Sequence, residues 1–185
     1  PPRMLARPPA EGLTRPDRRD GEAVADVHNL GMDALIGKDR GELEFALAGR
    51  ADAKLRAKQI AWHLYRRATP DVALMSELPR DLRERLAAET VVSPITVATQ
   101  RHSSDGVDKL LVHNGDGNVY ECVLLPYEDR VSCCLSSQVG CPMGCTFCAT
   151  GMGGFDRNLT AGEIVAQYLT LHGLTERRIS HVVFM

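Results

Sequence analysis

The sequence predicts an α/β protein, and three changes of pattern along the chain support this fold class. Apolar residues recur with helical spacing from about residue 26 to residue 90, and with strand alternation from about residue 93 to residue 125. From residue 131 onward, a strand, a loop, a helix and a second strand follow one another. This order is typical of the first repeat of a parallel α/β sheet or barrel, which places chemistry at the carboxyl end of its strands.

The composition of residues 1–22 predicts a disordered arm. This segment holds five prolines and five arginines and few apolar side chains that a core could bury. Such a composition cannot offset the conformational entropy that is lost on folding. We therefore expect a solvated tail before the folded part of the chain.

The pattern of apolar and basic residues over 23–92 predicts a small helical accessory domain with basic faces. In LRAKQIAWHLYRRA (55–68), apolar residues recur about one turn apart, and lysines and arginines surround them. SELPRDLRERLAAE (76–89) has a similar pattern, with Ser76 as a candidate N-cap. The positive charge suits contact with RNA, and it also suits simple complementation of the helix dipole, so both interpretations stay open.

Residues 93–126 predict a β-hairpin. The run LLVHNGDGNVYECVLLP has apolar segments on both sides of a Gly-Asp-Gly turn. Glu121 shares a strand face with Val119, Val123 and Leu125, because side chains alternate along a strand. A carboxylate with apolar neighbours is a candidate proton acceptor, but the strand pattern alone favours an ordinary solvated carboxylate.

The pattern of residues 127–185 predicts the first strand, loop, helix and strand of a parallel α/β domain. VSCCLSS forms the first strand, and the apolar run ISHVVFM forms a second strand that we expect to be buried. Thr160 and Glu163 have the spacing of a capping box, and Gly173 suits the end of the same helix. The sequence stops at Met185, directly after this apolar run, and a buried strand needs neighbours. It also opens with Pro1 rather than methionine, so we expect a truncated chain.

Five of the six cysteines lie between Cys133 and Cys148, and such clustering indicates metal or redox chemistry rather than a disulfide framework. Cys141, Cys145 and Cys148 follow the spacing C-x3-C-x2-C, which can supply three ligands to a [4Fe–4S] cluster. The open iron of such a cluster can bind S-adenosylmethionine, and the reduced cluster can cleave it to a 5′-deoxyadenosyl radical. The alternative is a closed zinc site with Cys133 or Cys134 as fourth ligand, but no second C-x2-C pair is present.

The composition is that of a soluble globular protein, with 44% hydrophobic residues, 25% charged residues and a net charge of −2. This near-neutral charge does not indicate nucleic-acid binding by the whole surface, although local basic patches are compatible with it. No apolar run is long enough to span a bilayer and no cleavable leader is recognisable, so we expect a cytoplasmic protein without membrane contact.

The cysteine segment and its surroundings resemble the RlmN/Cfr family of radical S-adenosylmethionine RNA methyltransferases. The matching stretch is CLSSQVGCPMGCTFCATGMGGFDRNLTAGEIVAQ, and the similarity includes RAKQIAWHLYRR and DGNVYECVLLP. The resemblance therefore covers all of the chain except the arm. It implies that residues 127–185 begin a partial TIM-like barrel and that the helical unit helps to hold RNA.

The resemblance also implies roles for five residues. Cys141, Cys145 and Cys148 would bind the [4Fe–4S] cluster, whose open iron binds S-adenosylmethionine. Cys134 matches the resolving cysteine and Glu121 matches the proton acceptor, which reverses the preference from the strand pattern. In the family, a second cysteine near the C-terminus carries a methyl group that becomes linked to adenine. After the ring proton has left, the resolving thiol attacks the linking sulfur, which releases methyladenosine and leaves a transient disulfide.

For the substrate, the resemblance implies C2 of an adenosine in 23S rRNA and of an adenosine in tRNA, an external electron donor and a monomeric enzyme. One alternative is Cfr-type methylation of the same rRNA adenosine at C8. Another is a radical enzyme with a non-RNA substrate, and a third is a non-catalytic, metal-stabilised RNA-binding module. The quoted motifs are shared by the two methylation types, and the RlmN type is preferred as the commoner housekeeping form.

Two parts of the family pattern do not occur in these 185 residues. In the family, the strand that matches HVVFM leads into a Gly-Met-Gly-Glu-Pro segment that helps to bind S-adenosylmethionine, and this sequence has no such segment. No cysteine that could carry the methyl group follows Cys148. We therefore expect the 185 residues alone to be inactive in methyl transfer.

Overall fold

The computed structural model describes residues 32–114 and 116–185, so the arm predicted for residues 1–22 lies outside the described residues. The helices are α1 (Arg40–Ala46), α2 (Ala53–Tyr65), α3 (Arg80–Glu89), α4 (Ala149–Met152) and α5 (Ala161–Gly173). The strands are β1 (Asp33–Ala34), β2 (Thr90–Val91), β3 (Ile95–His102), β4 (Asp108–Asn114), β5 (Val119–Pro126), β6 (Val131–Leu135), β7 (Gln138–Gly140), β8 (Phe155–Asn158) and β9 (Ile179–Phe184).

The helical unit is built from α1, α2 and α3 around a core of aliphatic side chains. Asp39 and Glu42 form a capping box at the start of α1, in which each side chain accepts a hydrogen bond from the backbone N–H of the other residue. Four of the apolar residues with helical spacing are buried, namely Ile60, Leu64, Leu82 and Leu86. Three others of the same pattern are exposed, namely Leu55, Trp62 and Tyr65. The short strands β1 and β2 pair in parallel, so this unit is not purely helical.

The predicted cap at Ser76 is wrong. Helix α3 begins only at Arg80, and Pro79 occupies the N-cap position. Proline suits a helix start because its φ is fixed near the helical value. The N–H group that proline lacks would have no hydrogen-bond partner within the helix at this position. The side chain of Ser76 instead donates a hydrogen bond to the Glu77 carboxylate at 3.3 Å.

A five-stranded sheet in the order β3-β4-β5-β6-β9 joins the predicted hairpin to the α/β part. The pairs β3–β4, β4–β5 and β5–β6 are antiparallel, whereas β6 and β9 are parallel. The hairpin prediction omitted β3, which pairs with β4 along its whole length. Because α5 lies between β6 and β9 in the chain and the two strands are parallel, the predicted order of strand, loop, helix and strand is present, with β7, α4 and β8 inside the loop.

The two faces of this sheet have different environments. We call one the covered face, because α5 packs against β3, β5 and β6 there. Its side chains are almost completely buried: Leu110, Val112, Tyr120, Cys122, Leu124, Cys133 and Leu135. We call the other the open face, and it carries Thr99, Arg101, Lys109, Leu111, Glu121, Val123 and Cys134.

The prediction that ISHVVFM is a buried strand is wrong within the described residues. Only Ile179 is buried, whereas Val182, Val183 and Phe184 are 45%, 54% and 60% exposed. The reason is topological, since β9 is the edge strand of the sheet beside β6. Its apolar residues therefore lack a neighbouring strand to cover them in this structure.

The helical unit contacts α5 through two glycines. A Cβ atom on Gly37 would lie 2.8 Å from Gly162 Cα, and a Cβ atom on Gly162 would lie 2.9 Å from the carbonyl oxygen of Ile36. Gly37 also has a φ of +112°, which disfavours other residues. The two backbones can meet this closely only because neither position has a side chain. Among the described residues, no helix is both long and apolar enough to cross a membrane.

Candidate functional site

Glu121 lies on the open face of the sheet, where β5 alternates between buried and accessible residues. Its carboxylate forms an ion pair with Lys109, whose Nζ lies 2.7 Å from Glu121 Oε1. The side chains of Lys109 and Glu121 are 50% and 45% exposed. The carboxylate is therefore accessible to a substrate on the open face, and a cation holds it in place.

Cys134 lies on the same face, and its neighbour Cys133 points the other way. Cys134 is opposite Val123 on β5, whereas Cys133 is opposite the buried Leu124. Burial, followed by the proximity of Cys134, raises the pKa of Cys133 to about 11. Cys134 is only partly buried, and this burial also raises the pKa of its thiol. Cys133 is therefore part of the core on the covered face.

Glu121 and Cys134 are diagonal neighbours across β5 and β6. Because Val123 pairs with Cys134, Glu121 lies two residues farther along its strand on the same face. Diagonal neighbours of this type are roughly 7 to 8 Å apart. The two residues that the resemblance selects, thirteen positions apart in the sequence, thus lie on one accessible surface. Their catalytic roles remain predictions.

The three cysteines Cys141, Cys145 and Cys148 lie in a loop that leaves the sheet at the carboxyl end of β6. Strands β7 and β8 pair antiparallel and form the base of this loop. The Cys141 N–H donates a hydrogen bond to the Gly154 carbonyl at 2.8 Å, which closes the base. This is the position at which parallel α/β folds place their reactive groups.

Two glycines allow the loop to close. Gly140 has a φ of +74°, and a Cβ atom there would overlap the carbonyl group of Gly154. Inside the loop, a Cβ atom on Gly151 would lie 3.3 Å from the backbone nitrogen of Cys145 and 3.8 Å from Cys148 Cβ. Side chains at these positions would push apart the segments that carry the cysteines.

The loop thiols are chemically suited to bind iron, although the structure does not gather them around one point. All three are free, with Cys145 exposed and Cys141 and Cys148 partly buried. Hydrogen bonds from the backbone N–H groups of Gly151 and Thr150 lower the pKa of the Cys148 thiol, which favours the thiolate that binds metal. Within residues 32–114 and 116–185, no three His, Cys, Asp or Glu side chains are arranged to hold a metal ion. The three thiols thus suit an iron–sulfur cluster in donor chemistry, accessibility and position in the loop, but not in their mutual arrangement.

An ionic network around the buried carboxylate of Glu163, which the sequence did not reveal, anchors the loop to the sheet. Arg157, at the end of the loop, donates two hydrogen bonds to Glu163 of α5 at 2.6 and 3.0 Å. Arg157 also pairs with Asp116 in the hairpin turn at 2.8 Å, and Asn114 donates to Glu163. Burial alone would raise the pKa of Glu163, but the bonds from Arg157, Thr160 and Asn114 outweigh it and lower the pKa to about 2. The network links the hairpin that carries Glu121 to the loop that carries the cysteines.

A second missed residue, Gln167, holds the segment that leads into the loop. Its side chain is fully buried, accepts from the Ser136 N–H at 2.9 Å and donates to the Ser136 carbonyl at 3.0 Å. Ser136 Oγ in turn donates to the Glu121 carbonyl at 2.7 Å. The sequence signal for Gln167 is weak, because a glutamine one turn after Glu163 would ordinarily indicate a solvated helix face.

Helix α2 and the residues directly after it present basic side chains and exposed aromatic rings. The accessible side chains there include Lys54, Lys58, Trp62 and Arg66. The guanidinium of Arg67 lies over the Trp62 ring, 4.3 Å from its centre. Cations attract phosphates and aromatic faces stack on unpaired bases, so this surface is suited to contact RNA.

Comparison with known proteins relates the whole described arrangement to RNA methyltransferases. The probable dual-specificity RNA methyltransferase RlmN of Moorella thermoacetica is 47% identical over 153 residues, which cover 78% of this chain and 43% of that protein. The dual-specificity RNA methyltransferase RlmN of Halorhodospira halophila is 44% identical over 152 residues, which cover 82% of this chain and 42% of that protein. No protein-family model matches the chain.

A solved structure shows the same relationship. A radical SAM methyltransferase from Sphaerobacter thermophilus superimposes with a TM-score of 0.74 at 39% sequence identity. The match covers 82% of this chain and 47% of that structure. This chain therefore spans less than half the length of the proteins that it matches.

Proposed function

Because this chain belongs to the RlmN/Cfr family of radical S-adenosylmethionine RNA methyltransferases, we propose that the full-length protein methylates C2 of an adenosine in 23S rRNA and of an adenosine in tRNA. The observation that carries the proposal is the placement of Glu121 and Cys134 on one accessible sheet face, directly before the cysteine loop. The names of the two RlmN relatives describe dual-specificity RNA methyltransferases, which supports two kinds of RNA substrate.

Cys141, Cys145 and Cys148 are the proposed ligands of a [4Fe–4S] cluster. When bound, the cluster and S-adenosylmethionine supply the 5′-deoxyadenosyl radical that starts the reaction, with an electron from an external donor. The protein's part is to present three accessible thiols on a loop whose base is closed by Gly140 and Gly154. Arg157 pairs with Glu163 of α5 and with Asp116 of the hairpin turn, and so keeps this loop beside the hairpin.

Glu121 and Cys134 are the proposed groups that complete the reaction on the target adenine. The Glu121 carboxylate accepts the proton that leaves the ring carbon. The Cys134 thiol gives up its proton, and its thiolate attacks the sulfur of the S–CH2 link between enzyme and RNA. The S–S bond forms as the C–S bond breaks, and the released methylene carbon takes up a proton, which gives methyladenosine and a disulfide. Burial raises the pKa of the Cys134 thiol, so the thiol must lose its proton before it can act as a nucleophile.

The substrate assignment is tested in cells. The full-length gene is deleted and restored, and nucleosides from 23S rRNA and tRNA are measured by mass spectrometry. The proposal requires 2-methyladenosine to disappear from both RNAs on deletion and to return with the intact gene. Loss of 8-methyladenosine instead would establish the Cfr-type reaction, and unchanged methylation would refute both.

The residue roles are tested with two adjacent cysteines of the purified, full-length enzyme. Cys134→Ala should leave RNA covalently attached to the protein, because no thiol can release it. Cys133→Ala is the matched control, since Cys133 is buried on the covered face and should still allow release. Equal accumulation of attached RNA in the two variants would refute the assignment of Cys134.

The cluster assignment is tested on the chain itself. After anaerobic reconstitution with iron and sulfide, we expect about four irons per chain and a reduced [4Fe–4S] signal in electron paramagnetic resonance. Cys145→Ser should remove the signal and Cys134→Ser should keep it. Tightly bound zinc without iron would instead support a metal-stabilised RNA-binding module.

A further inference from the structure

Two serines lie where the chain leaves the five-stranded sheet and enters the cysteine loop. Ser136 and Ser137 are the only residues between β6 and β7. The Ser137 carbonyl accepts a hydrogen bond from the Leu159 N–H at 2.9 Å, directly after β8, which ties the entry of the loop to its exit. The position of the two serines therefore sets where the cysteine loop begins and ends.

Gln167 of α5 holds Ser136 with both polar ends of its side-chain amide. Gln167 Oε1 accepts from the Ser136 N–H at 2.9 Å, and Gln167 Nε2 donates to the Ser136 carbonyl at 3.0 Å. Gln167 is fully buried and Ser136 is buried, so water does not compete for these bonds. Because the amide binds both backbone groups of one residue, it fixes the direction of the backbone as well as its position.

The same serine is connected to the proposed base. The pairing of β5 with β6 ends at Cys122 and Leu135, and the next pair in this register would be Glu121 and Ser136. The strands do not continue the ladder there. Instead, Ser136 Oγ donates to the Glu121 carbonyl at 2.7 Å, while the backbone of Ser136 is bound to Gln167.

This exchange has a geometric consequence that continued strand pairing would not have. The backbone groups of Ser136 point toward α5, so the chain leaves the sheet at the position opposite Glu121. Cys134 lies two residues earlier in the chain, at the diagonal position to Glu121. A displacement of Ser136 would therefore move the Glu121 carboxylate and the Cys134 thiol relative to each other and to the cysteine loop.

We propose that Gln167 is a positioning residue for the steps that follow attachment of RNA, and that it acts through Ser136. The inference rests on the proposed function, because Glu121 and Cys134 act there on the same attached adenine. A misplacement of reacting groups by about 1 Å can slow a reaction by orders of magnitude. Loss of the clamp should thus slow removal of the ring proton and attack by the thiol more than it weakens binding of RNA.

The test is a single-turnover reaction of the reconstituted full-length enzyme with an rRNA fragment, well below the thermal midpoint of every variant. The amounts of 5′-deoxyadenosine, attached RNA and released methyladenosine are followed over time. Gln167→Met should release attached RNA about tenfold more slowly, so that methyladenosine falls relative to 5′-deoxyadenosine. Ser136→Ala, which removes only the bond to the Glu121 carbonyl, should have a smaller effect in the same direction. Ser136→Thr keeps the hydroxyl and should restore the wild-type ratio.

Thr170→Val is the matched control on the same helix. Thr170 Oγ1 donates to the Ala166 carbonyl at 2.8 Å, so its loss removes a hydrogen bond within α5 and leaves Ser136 untouched. Iron content, the thermal midpoint and amide hydrogen exchange are measured for every variant. Gln167→Met should increase exchange at the Ser136 N–H, whereas Thr170→Val should not. If Gln167→Met fails to fold or loses iron, Ser136→Ala and Ser136→Thr decide the comparison.

The outcomes separate the two proposals. If wild type methylates the RNA and the clamp variants release attached RNA at the wild-type rate, the positioning role is refuted and the proposed function stands. A fall in the ratio that Thr170→Val shares, or that follows the thermal midpoint, would show a general loss of stability and would also refute the role of Gln167. If wild type forms no methyladenosine, or if Cys134→Ala accumulates no attached RNA, the proposed function fails and the role of Gln167 falls with it.

Discussion

The two sides of the five-stranded sheet use the same kinds of residue in opposite ways. On the covered side, Glu163 is 5% exposed and accepts hydrogen bonds from Arg157, Thr160 and Asn114. On the open face, Glu121 is 45% exposed and has one cation, Lys109, as its ion-pair partner. A buried carboxylate must have all its partners to be tolerated, whereas an accessible carboxylate can keep one side for a substrate. The difference shows which carboxylate is structural and which is available for chemistry.

The largest effect should come from the buried carboxylate. Glu163→Gln should lower the free energy of unfolding by about 3 kcal/mol, because it removes the buried charge that accepts hydrogen bonds from Arg157, Thr160 and Asn114, although Arg157 keeps Asp116 as a second partner. Glu121→Gln, the matched change on the open face, should cost less than about 0.5 kcal/mol. Urea denaturation of the two variants measures both values. Similar losses would contradict the distinction between the two sides.

Adjacent leucines of β4 provide the same comparison without charge. Leu110 is 1% exposed on the covered face, and Leu110→Ala should cost about 3 kcal/mol through lost burial and a remaining cavity. Leu111 is only partly buried on the open face, and Leu111→Ala should cost about 1 kcal/mol or less. The comparison uses thermal and urea denaturation, and it would fail if Leu111→Ala were the more damaging change.

The low pKa of Glu163 predicts a loss of stability in acid. The pKa is about 2 in the folded protein and 4.5 in the ordinary, unfolded environment. A carboxyl group with a depressed folded pKa contributes stability above its unfolded pKa and loses it as the pH falls toward its folded pKa. We therefore expect up to about 3 kcal/mol to disappear between about pH 5 and pH 2.

Denaturation midpoints at a series of pH values test this acid sensitivity. Glu163→Gln should remove most of the pH dependence, whereas Glu121→Gln should retain it. An unchanged acid dependence in Glu163→Gln would assign the effect to other carboxyl groups.

The smallest effect concerns the rates at which the thiols react. Cys148 should react first with an alkylating reagent at pH 8, because the backbone N–H groups of Gly151 and Thr150 stabilise its thiolate. Cys134 should react slowly, and Cys133 should react only on unfolding, because it is buried and its pKa is about 11. Mass spectrometry after timed alkylation gives the order. Equal rates for Cys133 and Cys134 would contradict their assignment to opposite faces.

The sequence by itself determined the local features of this protein, because they depend on neighbours in the chain. The capping box of Thr160 and Glu163, the end of α5 at Gly173 and the alternation between Glu121 and Cys122 all agree with the structure. The spacing of Cys141, Cys145 and Cys148 and the motifs around them also identified the family, which the comparisons confirm.

Only the tertiary structure decided how these local pieces meet. In α5, the most buried positions include the polar residues Glu163 and Gln167, because backbone and side-chain groups from other parts of the chain form hydrogen bonds with them. The pairing of Arg157 with Asp116 and of Lys109 with Glu121 depends on sheet register and loop closure. These contacts join residues that are 12 to 41 positions apart. Short-range periodicity relates only residues a few positions apart. The folded sheet is therefore needed to show that Glu121, the candidate base, lies beside Lys109.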